Sequence, residues 1–149
     1  AELAAQRKAP LILMSNQRGR GCQDIIPEVL STLRAAIKLA LERGVAWENV
    51  IVDPGVGFGK TLEQNLEIVR RLDELRCLER PILIGTSRKS MIGLVLDTPP
   101  HQRTEGTAAT VAISIARGAD IVRVHDVAQM VRVCQMSDAI IRGKGSSKG

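Results

Sequence analysis

The sequence predicts an α/β fold in which four short parallel strands are covered by helices. Three observations predict it. Short apolar runs at residues 11–14, 50–52, 82–84 and 121–124 recur between longer stretches of helical periodicity. Runs that are apolar on both faces suit a parallel sheet buried by helices, and their spacing suits βαβ crossovers. In every unit the polar, glycine-rich chemistry follows the strand, while the loop before the strand is plain. That asymmetry marks a sheet whose active edge is its carboxyl end. Four strand–helix units fit either a small open sheet or half of an eight-stranded barrel, and periodicity alone leaves both open.

Each element has its own signal. Residues 2–8 read as the end of a helix, broken at Pro10, and Leu11, Ile12, Leu13 and Met14 form the first strand. It empties into a basic, polar loop at residues 15–21. An amphipathic helix follows from Asp24 to about Arg43, with Ile26, Val29, Leu30, Leu33, Ile37 and Leu41 on one face. Pro27 falls in its first turn, where proline is tolerated, and Gly44 ends it. Val50, Ile51 and Val52 make the second strand, and residues 62–78 a second long helix with Leu66, Val69, Leu72 and Leu75 inward. Ile82, Leu83 and Ile84 follow Pro81 as the third strand, and residues 91–96 supply one or two helical turns. An alanine-rich helix over residues 104–117, able to pack closely, stops at Gly118. The fourth strand covers residues 121–124, and a last helix residues 127–141. The organisation expected is one domain over residues 1–142, with a disordered Gly/Ser/Lys tail at 143–149.

Composition narrows the function classes. At 149 residues with 44% hydrophobic content, the chain can bury one sizeable core. Its net charge of +5 favours anionic partners, but aromatics make up only 1%, which leaves no stacking platform for nucleic acid. Phosphate-bearing small molecules satisfy the charge, as do lysines and arginines scattered over solvated helix faces. Cys22, Cys77 and Cys134 are odd in number and widely spaced, forming no metal or redox motif. A reducing cytoplasm is therefore expected. No apolar run is long enough for a membrane span and the amino terminus has no signal-peptide profile, so no membrane partner is expected.

The chemistry concentrates at strand exits. Asp53 ends the second strand, and Pro54, Gly55, Gly57 and Gly59 then forbid regular structure. A P-loop would need glycine at Pro54, and a dinucleotide fingerprint begun at Gly55 would need glycine at Lys60, so both motifs are rejected. Asp53 is too polar for a core position unless something satisfies it, and capping its own Asp-Pro-Gly turn is one way. Arg123 and His125 alternate along the fourth strand and so point the same way. An arginine within an apolar strand needs an anionic partner, which could be a phosphate or an internal carboxylate such as Asp120 or Asp126.

Four blocks together resemble dihydropteroate synthase: Asp53-Pro-Gly-Val-Gly-Phe-Gly-Lys60, Gly85-Thr-Ser-Arg-Lys-Ser90, Gly106-Thr-Ala-Ala109, and Gly118-Ala-Asp-Ile-Val-Arg-Val-His-Asp126. They occur in the family's order, and the likeness covers the chain to about Gly143 but only the carboxyl-terminal half of the family. It implies a fold that is the carboxyl-terminal half of a (β/α)8 TIM barrel, with these strands as the fifth to eighth. It implies a transferase of folate biosynthesis that joins 4-aminobenzoate to a dihydropterin diphosphate, with Mg²⁺ whose ligand lies outside this chain. Asp53 would accept paired N–H donors from the pterin. Lys89 would donate to the pterin and wall the aminobenzoate pocket, and is otherwise a solvated lysine. Ser90, near a helix start, would meet the aminobenzoate carboxylate. Gly57 and Phe58 would line the pocket, Phe58 alternatively plugging against the next helix. Arg123 and His125 would hold the diphosphate and stabilise it as it leaves. Sulfonamide-type analogues are expected as further ligands. The alternatives are a non-catalytic half-barrel, a pterin- or phosphate-binding module, and a pterin-binding methyltransferase domain. Ser15 stands where the family commonly carries histidine and is given no role. A half-barrel leaves strand edges exposed, so a homo-oligomer is expected.

Overall fold

The computed structural model describes residues 1–16 and 24–143. Most of the basic loop and all but the first residue of the Gly/Ser/Lys tail lie outside the described residues. The order is α1 (Glu2–Arg7), β1 (Leu11–Met14), α2 (Ile25–Glu42), β2 (Val50–Asp53), α3 (Leu62–Arg70), β3 (Leu83–Ile84), α4 (Ser90–Leu96), α5 (Thr104–Ala116), β4 (Ile121–Val122) and α6 (Val127–Arg142). β1 and β2 pair in parallel from Leu11 against Val50 to Met14 against Asp53. β3 and β4 pair in parallel through Leu83 with Ile121 and Ile84 with Val122. A parallel bridge between Val52 and Ile82 joins the two small sheets, so the strands run side by side in chain order with their carboxyl ends on one edge. No described helix is long and apolar enough to cross a membrane.

Local chemistry sets the helix ends. The Asp24 side chain accepts from the Ile26 N–H and starts α2. Thr61 and Gln64 form a reciprocal capping box that starts α3. The core packs Ile26, Val29 and Leu33 of α2 and Ile68 of α3 against Val50, Val52 and Ile84 of the strands. α5 packs on α4 so closely that a Cβ on Gly106 would lie 2.3 Å from Ile92 Cγ2. A second cluster, of Val111, Ile115 and Met130, joins α5 to α6.

Several expectations are corrected. The helix expected over residues 62–78 breaks at Arg71 (φ −113°), and residues Leu72–Leu78 continue as 3₁₀-helix. Leu72, Leu75 and Leu78 are all buried, and their spacing of three matches the 3.0-residue turn that aligns them. On α3, Leu66 is half-buried while Ile68 takes the core position. On α2, Ala40 is buried where Leu41 was expected and Leu41 faces solvent. The third and fourth strands are shorter than expected, although the Arg123 N–H still donates to the Ile84 carbonyl at 2.9 Å. Burial of every strand on both faces holds only for the middle two: Ile12 is 49% and Ile121 37% exposed, because no described strand lies beyond β1 or β4.

Candidate functional site

Everything chemical in the second, third and fourth units meets at the carboxyl edge of the strands. Asp53, the last residue of β2, is 4% exposed. Its Oδ1 accepts the Gly55 N–H at 2.7 Å, so it does cap its own turn, as the sequence allowed, and keeps further acceptor capacity. Gly55 (φ +73°) is demanded by a close approach: a Cβ there would stand 2.0 Å from the Ser15 carbonyl oxygen. Lys60 ties this corner together, its Nζ donating to the carbonyls of Ser15 (2.9 Å) and Gly55 (3.0 Å). The glycine-rich turn is held from below by Asn65, whose Oδ1 accepts the Gly57 N–H at 2.7 Å while its Nδ2 donates to Thr61 O.

Lys89 reaches across from the β3 exit. Its Nζ donates to the Val56 carbonyl and sits 4.5 Å from the centre of the Phe58 ring. Its stem covers Gly57, where a Cβ would come within 2.8 Å of Lys89 Cδ. Lys89 is therefore not the solvated lysine of the alternative reading. Phe58, 37% exposed, is not a plug in the core but packs against this ammonium at the surface.

Arg123, His125 and Lys89 line one cleft of about 250 Å³ with Gly85, Ser87 and Val124. Gly85 gives the Arg123 guanidinium room, since a Cβ there would meet it at 3.1 Å. The carboxylates weighed as internal partners of Arg123 are engaged elsewhere. Asp120 Oδ2 accepts the Ile82 N–H at 2.9 Å, and Asp126 is gripped by Arg88 at both oxygens. Arg123 is exposed and makes no ion pair within 4.0 Å among the described residues. His125 is fixed by Ser87, whose Oγ accepts the His125 N–H at 3.1 Å and lies 2.9 Å from Nδ1. Ser90, the first residue of α4, is exposed beside Lys89.

Electrostatics couple the group. Burial pushes the Asp53 carboxyl above its ordinary value, opposed by the Gly55 N–H and by the charges of Lys89, Arg123 and Lys60. Burial pulls the Lys89 ammonium down to about 8, with Asp53 acting against the shift and Arg123 and Lys60 adding to it. A buried carboxylate, a lysine whose ammonium burial disfavours and a guanidinium with no ion pair among the described residues together suit a hydrogen-bonding ligand that carries an anionic group. Among the described residues no three of His, Cys, Asp and Glu converge to hold a metal. The resemblance places the Mg²⁺ ligand outside this chain, so these residues are not read as its site.

Sequence reasoning missed Ser87 and Asn65. Ser87 stood inside a singled-out block, and Asn65 is a polar residue at a buried helical position, which was the available signal. A larger groove of about 410 Å³, lined by Ile37, Leu41, Trp47 and Cys77 together with Arg34, Lys38, Glu42 and Glu79, shares none of its lining with these groups.

The family profile described as "Pterin binding enzyme" matches residues 1–125. The chain is 46% identical to the dihydropteroate synthase of Bacillus subtilis (strain 168) over 149 residues, covering 100% of this chain and 52% of that protein. It is similar to the crystal structure of a Clostridium difficile dihydropteroate synthase in the presence of pteroic acid, at a TM-score of 0.92 and 46% identity, over 95% of this chain and 54% of that one. A Yersinia pestis dihydropteroate synthase in a sulfonamide drug complex matches at a TM-score of 0.91 and 35% identity, over 96% of this chain and 54% of that one. The chain spans about half the length of the curated relatives it matches. On the profile match and these likenesses, the chain belongs to the pterin binding enzyme family.

Proposed function

We propose that this chain is the carboxyl-terminal half-barrel of a dihydropteroate synthase, with residues 1–142 contributing the fifth to eighth strands of a (β/α)8 barrel and their helices. The whole enzyme condenses 4-aminobenzoate with 6-hydroxymethyl-7,8-dihydropterin diphosphate, giving 7,8-dihydropteroate and pyrophosphate. The observation that carries this is the convergence of Asp53, Lys89 and Arg123 at one sheet edge, where the Arg123 charge bears on both Asp53 and Lys89. The bond formed joins the aminobenzoate nitrogen to the pterin methylene carbon, the carbon–oxygen bond to the diphosphate breaks, and the amine loses a proton.

Each residue has a task in that step. Asp53, with Oδ1 held by Gly55, orients the pterin by accepting its paired N–H groups. Lys89 donates to the pterin carbonyl and ring nitrogen and forms a wall of the aminobenzoate pocket with Gly57 and Phe58, the pocket that sulfonamide-type analogues would share. Ser90 meets the aminobenzoate carboxylate. Arg123 offers a fork of donors to the diphosphate and His125 a further one. Both become more effective as negative charge grows on the leaving oxygens. Mg²⁺ enters this reading only through residues outside those described. The enzyme is read as cytoplasmic and as a homo-oligomer.

The test is calorimetry with a pterin ligand on the full-length protein. Asp53→Asn and Lys89→Ala should each weaken binding at least about tenfold, the worth of a lost charge-assisted hydrogen bond, while leaving the fold intact. Unchanged affinity in both variants would remove the site assignment.

A further inference from the structure

Resting on the diphosphate role read for Arg123, we propose that Arg88 is a positioning residue: it occupies Asp126 and so keeps the Arg123 guanidinium unpaired for an anion. Asp126 follows Arg123 by three residues, at the same strand exit, and its side chain is only 15% exposed. A carboxylate so placed gains by pairing with the nearest cation. Arg88 forestalls this by gripping both oxygens, Nε donating to Oδ2 at 3.0 Å and Nη2 to Oδ1. Asp120, the other carboxylate within three residues of Arg123, is spent on the Ile82 N–H.

Arg88 is itself held for this task. It has a left-handed backbone (φ +57°), which a non-glycine residue adopts only when its surroundings fix it. Here they do. Its N–H donates to Thr107 Oγ1 at 3.1 Å, and its carbonyl accepts from Arg103 Nη1 at 2.9 Å. Arg103 in turn donates to the Thr98 carbonyl at 3.0 Å and fills the space over Gly93. Thr107 is fully buried on α5, so the helix sets the backbone from which Arg88 reaches Asp126. The immediate neighbours of the pair are Lys89 on one side and His125 on the other, both lining the cleft.

The experiment is a pyrophosphate titration by calorimetry on the full-length protein and three variants. Arg88→Ala frees Asp126 to compete for Arg123 and should bind about tenfold more weakly, the scale of a charge contact at a binding site. Arg88→Ala combined with Asp126→Asn removes the competitor and should return to within about twofold of the parent. Asp126→Asn alone should bind at least as tightly as the parent. If the double variant stays as weak as Arg88→Ala, Arg88 acts by its own charge or by bracing the loops, and the proposal is overturned. A weakened Asp126→Asn overturns it equally. A second readout needs no ligand: the Arg123 Nε–H resonance, assigned by its loss in Arg123→Lys, should move in Arg88→Ala and return in the double variant. A resonance unmoved by Arg88→Ala also overturns the proposal. Should the parent bind no pyrophosphate, the diphosphate reading of the site falls, and the resonance still decides whether Arg88 keeps Asp126 from Arg123.

Discussion

Asp53 and Lys89 shift in opposite directions for one reason: burial penalises whichever form carries charge. Their effects on stability therefore have opposite signs in pH. Between the unfolded carboxyl value and the raised folded value of Asp53, the native state holds more protons than the unfolded chain, so its contribution falls as pH rises through that window. For Lys89, between about 8 and 10.5, the native state holds fewer protons, so its contribution rises with pH. Lys89→Met should consequently compare best with the parent near neutrality. Melting curves from pH 7 to pH 10 should show the difference in Tm moving in the parent's favour, and a pH-independent difference would contradict the burial argument. Asp53→Asn keeps an acceptor for the Gly55 N–H and loses a charge that burial disfavours. It should melt no lower than the parent at pH 7 while binding a pterin poorly, a separation of stability from function expected of binding sites.

At the scale of elements, the two glycines after β2 do different work. Gly55 sits where β2 turns beneath the β1 exit, and its missing side chain leaves room for backbone, which cannot yield. Gly57 leaves room for the stem of Lys89, which can. Gly55→Ala should cost about 3 kcal/mol or more, being both a steric clash and a strained φ. Gly57→Ala carries a similarly strained φ (+79°) but meets a side chain that can yield, so it should cost less, about 1–2 kcal/mol, yet weaken pterin binding by displacing Lys89. Chemical denaturation with calorimetry separates the two, and equal stability loss in both would mean that the turn does not discriminate backbone from side chain. The capping box at Thr61 and the Asn65 bonds belong to the same design, since they fix where α3 begins and therefore where the turn ends. The capping box reads directly from Thr61 and Gln64. The role of Asn65 does not, because it depends on a backbone N–H eight residues away.

For the whole molecule, the outer strands decide behaviour. β2 and β3 are covered, but β1 and β4 each have one edge with no described strand beside it, and Ile12 and Ile121 stay substantially exposed. Edges of that kind invite pairing with another chain. The chain expressed alone should therefore elute as an associated species or aggregate, and turn over no substrate, because residues that act as a unit lose function together when partners are removed. Size-exclusion chromatography with a synthase assay checks this. Robust turnover from a clean monomer would contradict the half-barrel reading.

The sequence by itself determined how many strands there are and in what order, that the chemistry follows them, and which family's blocks stand there. These depend on local propensity, glycine and proline punctuation, and the order of residues along one chain. It also carried, in the spacing of Leu72, Leu75 and Leu78, a 3₁₀ signal that helical periodicity obscured. Tertiary structure decided that Ala40 rather than Leu41 enters the core, that Ser87 holds His125, and that Asp126 belongs to Arg88 and not to Arg123. Long charged side chains have many partners within reach of their own stretch of sequence, and the choice falls to whichever group the fold delivers at the right distance. Here that group came from 38 residues away, a separation that no local pattern encodes.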